Sequence, residues 1–124
     1  MTYTLSWHIP ERVLYLTLDG QPALSELQSI NREVMEILDQ SESKIHLVLD
    51  VLNLRAGYDT SNHLRDTQQY MNHANLEGIF VVAENKLNRL ITLMAFCFSR
   101  AYFAQFDNFQ NAEAYFKRRG IARM

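Results

Sequence analysis

Hydroxyl, carboxyl and amide side chains stand together in the segment Asp-Thr-Ser-Asn at residues 59–62. The segment follows an apolar run that ends near Asp50, and its side chains are predicted to open a helix, where unpaired N–H groups and the positive end of the helix dipole favour an anion. A phosphate on Thr60, or on Ser61, would be held there and would add a charge of about −1.5 to −2. The same residue types are also the usual helix caps, and Asp59 or Thr60 as a cap would contribute about 1 kcal/mol. Both interpretations stay open from the residues alone.

The spacing of the remaining reactive side chains predicts no metal site and no catalytic centre. His63 and His73, placed on one predicted helix, would lie about 15 Å apart along its axis, which is too far to share a metal ion. Cys97 is predicted in the buried middle of a helix, without the neighbouring cation or helix N-terminus that a reactive thiol needs. No nucleophile–base pair stands out by spacing. We therefore predict a protein that is not an enzyme and needs no cofactor. An enzyme is the less favoured alternative, because catalytic groups need only meet in space.

The composition is typical of one globular domain over residues 1–124, with 48% hydrophobic and 21% charged residues. The net charge of −2 gives no field that would gather nucleic acid. A single cysteine excludes an internal disulfide and fits a reducing compartment. Met1 leads directly into a strand-like pattern, and the longest apolar run is shorter than the roughly 20 residues that span a bilayer. These features predict a cytoplasmic protein with no membrane span.

Hydrophobic periodicity predicts the order ββαβαβαβα. The strands are predicted over residues 2–8, 13–20, 44–52, 78–84 and 102–106. The helices are predicted after a capping box at Ser25 and Gln28, from about 60 to 75, from Asn85 to about Arg100, and after Asn108. Alternating strands and helices predict an α/β fold, with an open, mixed and largely parallel five-stranded sheet and four helices.

The loops that follow neighbouring parallel strands open at one edge of the sheet, where such folds tend to bind ligands. Lys86, which follows Asn85 at the start of the third helix, would then contact an anion near Thr60, or else belong to a solvated helix start. Asp50 is predicted mainly to accept backbone hydrogen bonds where its strand ends.

The third helix is apolar nearly all round, so a second face of it must also be covered. The face expected to dock on the sheet contains Leu87, Leu90, Ile91, Met94, Phe98 and Ala101. Leu93 and Phe96 are predicted to project away from that face, with Phe103 just beyond the helix. The last helix, a second copy of the chain in a homodimer, or a small apolar ligand could cover this predicted patch.

The element order and three stretches of sequence resemble the STAS domain, the SpoIIAA-like fold of sulfate transporters and anti-sigma-factor antagonists. The stretches are HLVLDVLNL at 46–54, DTSN at 59–62 and FDNFQNAEAYF at 106–116. In the family the second stretch reads Asp-Ser-Ser/Thr-Gly, so Thr60 stands at the phospho-acceptor position and Asn62 replaces the glycine. The resemblance covers nearly the whole chain at the level of element order.

The resemblance implies a regulatory protein-interaction module whose partner is an anti-sigma factor or a serine-kinase-like regulator. The implied partner surface combines the 59–62 segment with the exposed side of the second helix, at Thr60, Ser61, Asn62, Arg65 and Gln69. A lipid-binding, Sec14-like branch of the same fold implies the alternative, a carrier or sensor of a small apolar ligand.

Overall fold

A computed structural model describes residues 2–57 and 59–121. Met1, Tyr58 and residues 122–124, which the predicted domain includes, lie outside the described residues. The elements, in chain order, are β1 (Tyr3–Ile9), β2 (Val13–Leu18), α1 (Leu24–Gln40), β3 (Ile45–Asp50), α2 (Thr60–Thr67), a 3₁₀ helix (Gln69–Asn72), β4 (Leu76–Val82), α3 (Lys86–Phe96), β5 (Tyr102–Phe106) and α4 (Phe109–Arg118).

The five strands form one sheet in which each strand neighbours the next one in the sequence. β1 and β2 pair antiparallel, and β2 to β5 are parallel to one another. The predicted fold class is therefore confirmed. The central strand β3 is buried on both faces through Leu47, Val48 and Leu49, as its unbroken apolar sequence indicates.

Helices cover the two faces of the sheet unequally. Each crossover in a sheet with sequential strand order returns on the same side, and the apolar faces of α1, α2 and α3 share one buried cluster with Leu14, Leu16 and Leu47. α4 packs on the opposite face, where Ala112 and Phe116 contact a second cluster. One face is thus covered by three helices and the other by a single ten-residue helix.

α1 begins one residue before the predicted capping box. Ala23 stands at the cap position, and Glu26 Oε1 accepts a hydrogen bond from the Ala23 N–H at 3.0 Å. The prediction that Ser25 and Gln28 form the box is wrong, because the acid that completes it is Glu26, the third residue of the helix.

α2 is shorter than predicted, because Gln68 is used for a tertiary contact. The Gln68 side chain is buried, and its Nε2 donates to the Leu27 carbonyl at 2.9 Å. The backbone leaves the helical conformation at Gln68, and a 3₁₀ helix follows that buries Tyr70 and Met71. The predicted helix over 60–75 is therefore two elements.

α3 presents a different face to the sheet from the one predicted. Its buried residues are Asn88, Ile91, Thr92, Ala95 and Phe96. Of the predicted docking residues within the helix only Ile91 is buried, and the helix ends at Phe96 rather than near Arg100. The hydrophobic pattern misleads because two polar residues lie on the buried face, with Asn88 bonding to carbonyl groups there.

The predicted patch of Leu93, Phe96 and Phe103 is therefore corrected. Phe96 is fully buried and stacks between Tyr70 and Phe103, with ring centroids 6.4 and 6.5 Å away. Phe103 is half-buried against the core, and only Leu93 is exposed. The exposed apolar side chains of α3 and the turn after it are Leu87, Leu90, Leu93, Met94 and Phe98.

Cys97 caps the C-terminal end of α3 and is exposed, so its predicted burial is wrong. The shorter helix explains the error, because α3 ends at Phe96 and Cys97 lies just beyond its buried residues. Within the described residues, no helix is both long and apolar enough to cross a membrane.

Candidate functional site

Two loops at the carboxyl edge of the parallel strands are joined by backbone hydrogen bonds. Gly20, after β2, donates to the Asn53 carbonyl at 3.0 Å, and its own carbonyl accepts from the Arg55 N–H at 2.7 Å. Gly20 and Leu54 form an isolated parallel bridge. The β2–α1 loop therefore fixes the position of the β3–α2 loop, which leads to residues 59–62.

Thr60 is the first residue of α2, and its hydroxyl group turns back toward the preceding loop. Thr60 Oγ1 accepts a hydrogen bond from the Gly57 N–H at 2.7 Å, and the Thr60 N–H donates to the Gly57 carbonyl at 3.3 Å. Asp59 occupies the cap position without a side-chain capping bond. The prediction that Asp59 or Thr60 caps α2 is therefore wrong. The Thr60 hydroxyl stabilises the preceding loop instead.

The two loops and the start of α2 enclose a pocket of about 380 Å³, here called the switch-loop pocket. Its apolar lining comes from Leu18, Pro22, Ala23, Leu24, Leu27, Leu54 and Leu64. The polar side chains that line it are Gln21, Asp59, Thr60 and His63. The volume lies toward the lower end of the ~300–1,000 Å³ range of small-molecule sites.

Gly57 keeps the mouth of this pocket open. A Cβ atom at Gly57 would lie 3.1 Å from Gln21 Nε2 and 3.7 Å from Thr60 Oγ1. A side chain there would displace the end of the Gln21 side chain slightly and would contact the Thr60 hydroxyl at an ordinary van der Waals distance. Gly57 is thus the residue of the 55–57 segment that lines the pocket.

Asp50 holds the other end of the β3–α2 loop. Its Oδ1 accepts from the Leu52 N–H at 3.0 Å, and its Oδ2 accepts from the Tyr15 hydroxyl at 2.7 Å. Burial, together with the hydrogen bond to Asp50, raises the pKa of the Tyr15 phenol. Asp50 therefore shapes the end of its strand, as expected from its position, and offers no free carboxylate to the pocket.

Asn88 joins the start of α3 to the same loop, and the sequence analysis did not identify it. Its Nδ2 is buried and donates to the carbonyls of Val51 and Leu54 at 2.8 and 3.1 Å. Asn85 caps α3 by accepting from the Asn88 N–H at 2.7 Å, as predicted. Lys86 is exposed at the first position of α3. An amide spaced to complete a capping turn was the one available signal for Asn88.

The predicted partner surface is exposed at its polar positions. Asn62 and Arg65 are exposed on α2 and bond to each other, with Arg65 Nη2 donating to Asn62 Oδ1 at 2.7 Å. Gln69 is exposed on the 3₁₀ helix and donates to the Asp66 carbonyl. Thr60 and Ser61 are both half-buried, and of the two only Thr60 lines the pocket.

The polar side chains of the switch-loop pocket are one hydroxyl, one carboxylate, one imidazole and the amide of Gln21. Within residues 2–57 and 59–121, no group of three His, Cys, Asp or Glu side chains could hold a metal ion. The Thr60 hydroxyl keeps its own proton available while Oγ1 accepts from Gly57. The arrangement is suited to accepting a modification or an apolar ligand.

A solved structure matches this architecture over most of its length. It is an uncharacterised protein of the DUF3478 family with a SpoIIAA-like fold from Shewanella loihica PV-4, and it superposes with a TM-score of 0.66. The match covers 91% of this chain and 90% of that chain at 13% sequence identity. This chain has a SpoIIAA-like fold. At that identity the match shows the fold alone, and no family model and no curated protein matches the sequence.

Proposed function

We propose that this SpoIIAA-like protein is a non-enzymatic regulatory module that binds a protein partner and is switched by phosphorylation of Thr60. The observation that carries the proposal is the position of the Thr60 hydroxyl, at the start of α2 and at the rim of the switch-loop pocket. The resemblance to anti-sigma-factor antagonists supports an anti-sigma factor or a serine-kinase-like regulator as the partner. The partner surface consists of Thr60, Asn62, Arg65 and Gln69.

Phosphorylation would change this surface in two ways. The Oγ1 atom would carry a phosphate of about −1.5 to −2 charge, next to the carboxylate of Asp59, which also lines the pocket. The new phosphate oxygens would compete with Oγ1 for the hydrogen bond that the Gly57 N–H donates. A partner docked over apolar residues of the pocket would meet both like-charge repulsion and the cost of desolvating the phosphate.

Affinity capture from the native cells tests the proposal. The wild-type protein and Thr60→Ser should retain the same partner, because both keep a hydroxyl bonded to Gly57. Thr60→Glu should lose that partner, because it places a fixed charge at the pocket rim. Asn62→Ala should weaken capture, since Asn62 lies exposed one turn into α2.

Gln110→Glu is the control for charge alone, because Gln110 is exposed on α4, across the sheet from the pocket. It should leave capture unchanged. A partner that binds Thr60→Glu as strongly as wild type would contradict the switch. So would a partner that is lost equally from Gln110→Glu.

A second candidate function is a carrier or sensor of a small apolar ligand, and the switch-loop pocket favours it. Five leucine side chains line the pocket, which has an opening toward solvent at Leu24. The sequence analysis expects an apolar ligand to bind on α3, whereas the pocket lies between α1 and α2. The predicted homodimer stays a prediction, with the exposed apolar side chains of α3 as its motivation.

Native mass spectrometry distinguishes this candidate. A retained apolar molecule should disappear in Leu24→Lys, which places an ammonium at the pocket mouth. Leu87→Lys is the matched control, because Leu87 is similarly exposed at 55% against 46% for Leu24 but lies on α3 outside the pocket. Equal loss of the bound molecule in both variants would contradict the carrier function. So would protein that retains no ligand when it is isolated from its native cells.

A further inference from the structure

A second cavity lies on the opposite face of the sheet, beside α4, and the proposed function does not use it. Its volume is about 370 Å³. The residues that line it include His46, Glu77, Phe80, Tyr102, Tyr115 and Arg119. His46, Glu77 and Tyr102 stand at the amino ends of β3, β4 and β5, so this α4-side slot opens at the edge of the sheet away from Thr60.

Aromatic rings form the floor of the α4-side slot. The His46 and Phe80 rings stack with centroids 5.7 Å apart, and the Phe80 and Tyr102 centroids lie 5.9 Å apart. Gly78 makes the room for this row, because a Cβ atom there would lie 2.8 Å from Phe80 ring carbons and 3.3 Å from His46 Cδ2. The rings are inclined to one another by 29° and 50°, so the floor is an aromatic cluster in which Phe80 is buried and Tyr102 is exposed.

Tyr115 and Arg119, one helical turn apart on and just after α4, form the wall of the slot. The Tyr115 ring is stacked on Tyr102 at 6.2 Å with 5° between the planes. Arg119 Nε donates to the Tyr115 hydroxyl at 3.0 Å, and its guanidinium carbon lies 5.4 Å from the ring centroid. Among residues 2–57 and 59–121, no side chain forms an ion pair with Arg119. The Arg119 side chain is exposed, and a guanidinium group can bind a carboxylate or phosphate through two nitrogens.

Charge around the slot is predominantly positive. Lys44 and Arg100 line a cavity that adjoins it and shares Glu77 and Tyr102 with it. Among the described residues that line the two cavities, Glu77 supplies the single carboxylate against these two cations and Arg119. An exposed aromatic ring beside a net positive rim favours an aromatic ligand that carries a negative charge.

We propose that the α4-side slot binds a planar aromatic anion, with its ring against the exposed Tyr102 and its carboxylate or phosphate on the Arg119 guanidinium. This site is independent of the proposed function, because it lies on the other face and at the other edge of the sheet. A ligand there contacts neither Thr60 nor the switch-loop pocket.

Titration of the full chain with 2-naphthoate, followed by ¹H–¹⁵N correlation spectra, tests the proposal. Saturable shifts should appear at Phe80, Tyr102 and Tyr115, with a Kd on the order of 1 mM or below. The cation 2-naphthylmethylammonium and the non-aromatic anion cyclohexanecarboxylate should each bind roughly tenfold more weakly, since each lacks one of the two interactions.

Two charge variants give opposite expected effects. Arg119→Gln should weaken 2-naphthoate binding roughly fivefold and remove the preference for the anion. Glu77→Gln should tighten binding roughly twofold, because it removes the carboxylate at the rim. Arg55→Gln is the control, an exposed arginine in the loop after β3, and should leave the affinity unchanged.

Three results would overturn the proposal: no saturable binding of 2-naphthoate, shifts confined to the switch-loop pocket, or equal affinity for the three probes. Loss of binding in Arg55→Gln equal to that in Arg119→Gln would also overturn it, since binding would then follow net charge alone. Failure of this test leaves the Thr60 switch untouched.

Discussion

Thr60 Oγ1 accepts a hydrogen bond of 2.7 Å from the backbone N–H of Gly57. Through this bond the side chain that a kinase would modify also holds the loop that a partner would contact. Modification of Thr60 and the conformation of the 55–57 segment are therefore linked, which gives the proposed switch a structural consequence beyond added charge.

Replacing Thr60 by valine should destabilise the protein by about 1 kcal/mol, because the half-buried Gly57 N–H loses its acceptor while the side-chain shape is kept. Thr60→Ser keeps the oxygen and should lie within about 0.5 kcal/mol of wild type. Urea unfolding measures both. A valine variant as stable as wild type would mean that the bond contributes nothing to holding the loop.

Replacing Asn88 by leucine should destabilise the protein by about 2–4 kcal/mol, because the Val51 and Leu54 carbonyls both lose their donor in a buried setting. Hydrogen exchange of residues 51–57 should also accelerate, since Asn88 ties this segment to α3. Asn62→Ala, an exposed asparagine on α2, is the control and should cost less than about 0.5 kcal/mol. Similar losses in both variants would contradict the special role of Asn88.

Much of the fold follows from local sequence patterns, and the errors have a common cause. Alternating apolar residues give the hairpin, and the unbroken apolar run of β3 gives the central strand. Prediction from apolar patterns fails where polar side chains are buried to make tertiary contacts. α2 ends at Gln68, whose side chain donates to the Leu27 carbonyl. Asn88 and Thr92 are buried on α3, so the buried face of this helix differs from the predicted one.

Replacing Tyr70 by phenylalanine should leave the free energy of unfolding unchanged or raise it by up to about 1 kcal/mol. The Tyr70 hydroxyl is buried and has no hydrogen-bond partner among the described residues, and complete burial raises the pKa of the phenol. Tyr3→Phe is the control, because the exposed Tyr3 hydroxyl donates to Glu33 at 2.6 Å and its loss should cost a few tenths of a kcal/mol. A Tyr70→Phe variant destabilised by more than about 1 kcal/mol would show that the hydroxyl is satisfied.

His46 should make the protein less stable as the pH falls below 6.5. Burial lowers the pKa of His46 from its ordinary 6.5, and this outweighs the Glu77 charge and the Arg12 backbone, which raise it. Between the two values the unfolded chain holds a proton that the folded protein does not, so stability decreases as the pH falls through this window and is fully present above it.

Denaturant unfolding of wild type and His46→Gln at about pH 7.5 and about pH 5.5 tests whether stability decreases as the pH falls. The difference in stability between the two pH values should be smaller in His46→Gln. Gln28→Asn, an exposed substitution that titrates nowhere in this range, should keep the wild-type difference. A His46→Gln variant with the full wild-type difference would contradict the assignment to His46.

The candidate site was only partly predictable from sequence. The Asp-Thr-Ser-Asn segment and its place after β3 could be read from local residues, since helix starts have a characteristic composition. The pocket could not be predicted, because Leu18, Pro22 and Leu24 come from a distant part of the sequence, the end of β2, the loop after it and the start of α1. That part of the chain is joined to the β3–α2 loop through the Gly20 hydrogen bonds to Asn53 and Arg55.

The most direct test of the central claim is mass spectrometry of the intact protein from its native cells, followed by fragment mapping of any phosphate. The account predicts a fraction of molecules with a single phosphate, located on Thr60. Protein that is free of phosphate under every growth condition sampled, or that carries phosphate only on other residues, would contradict it.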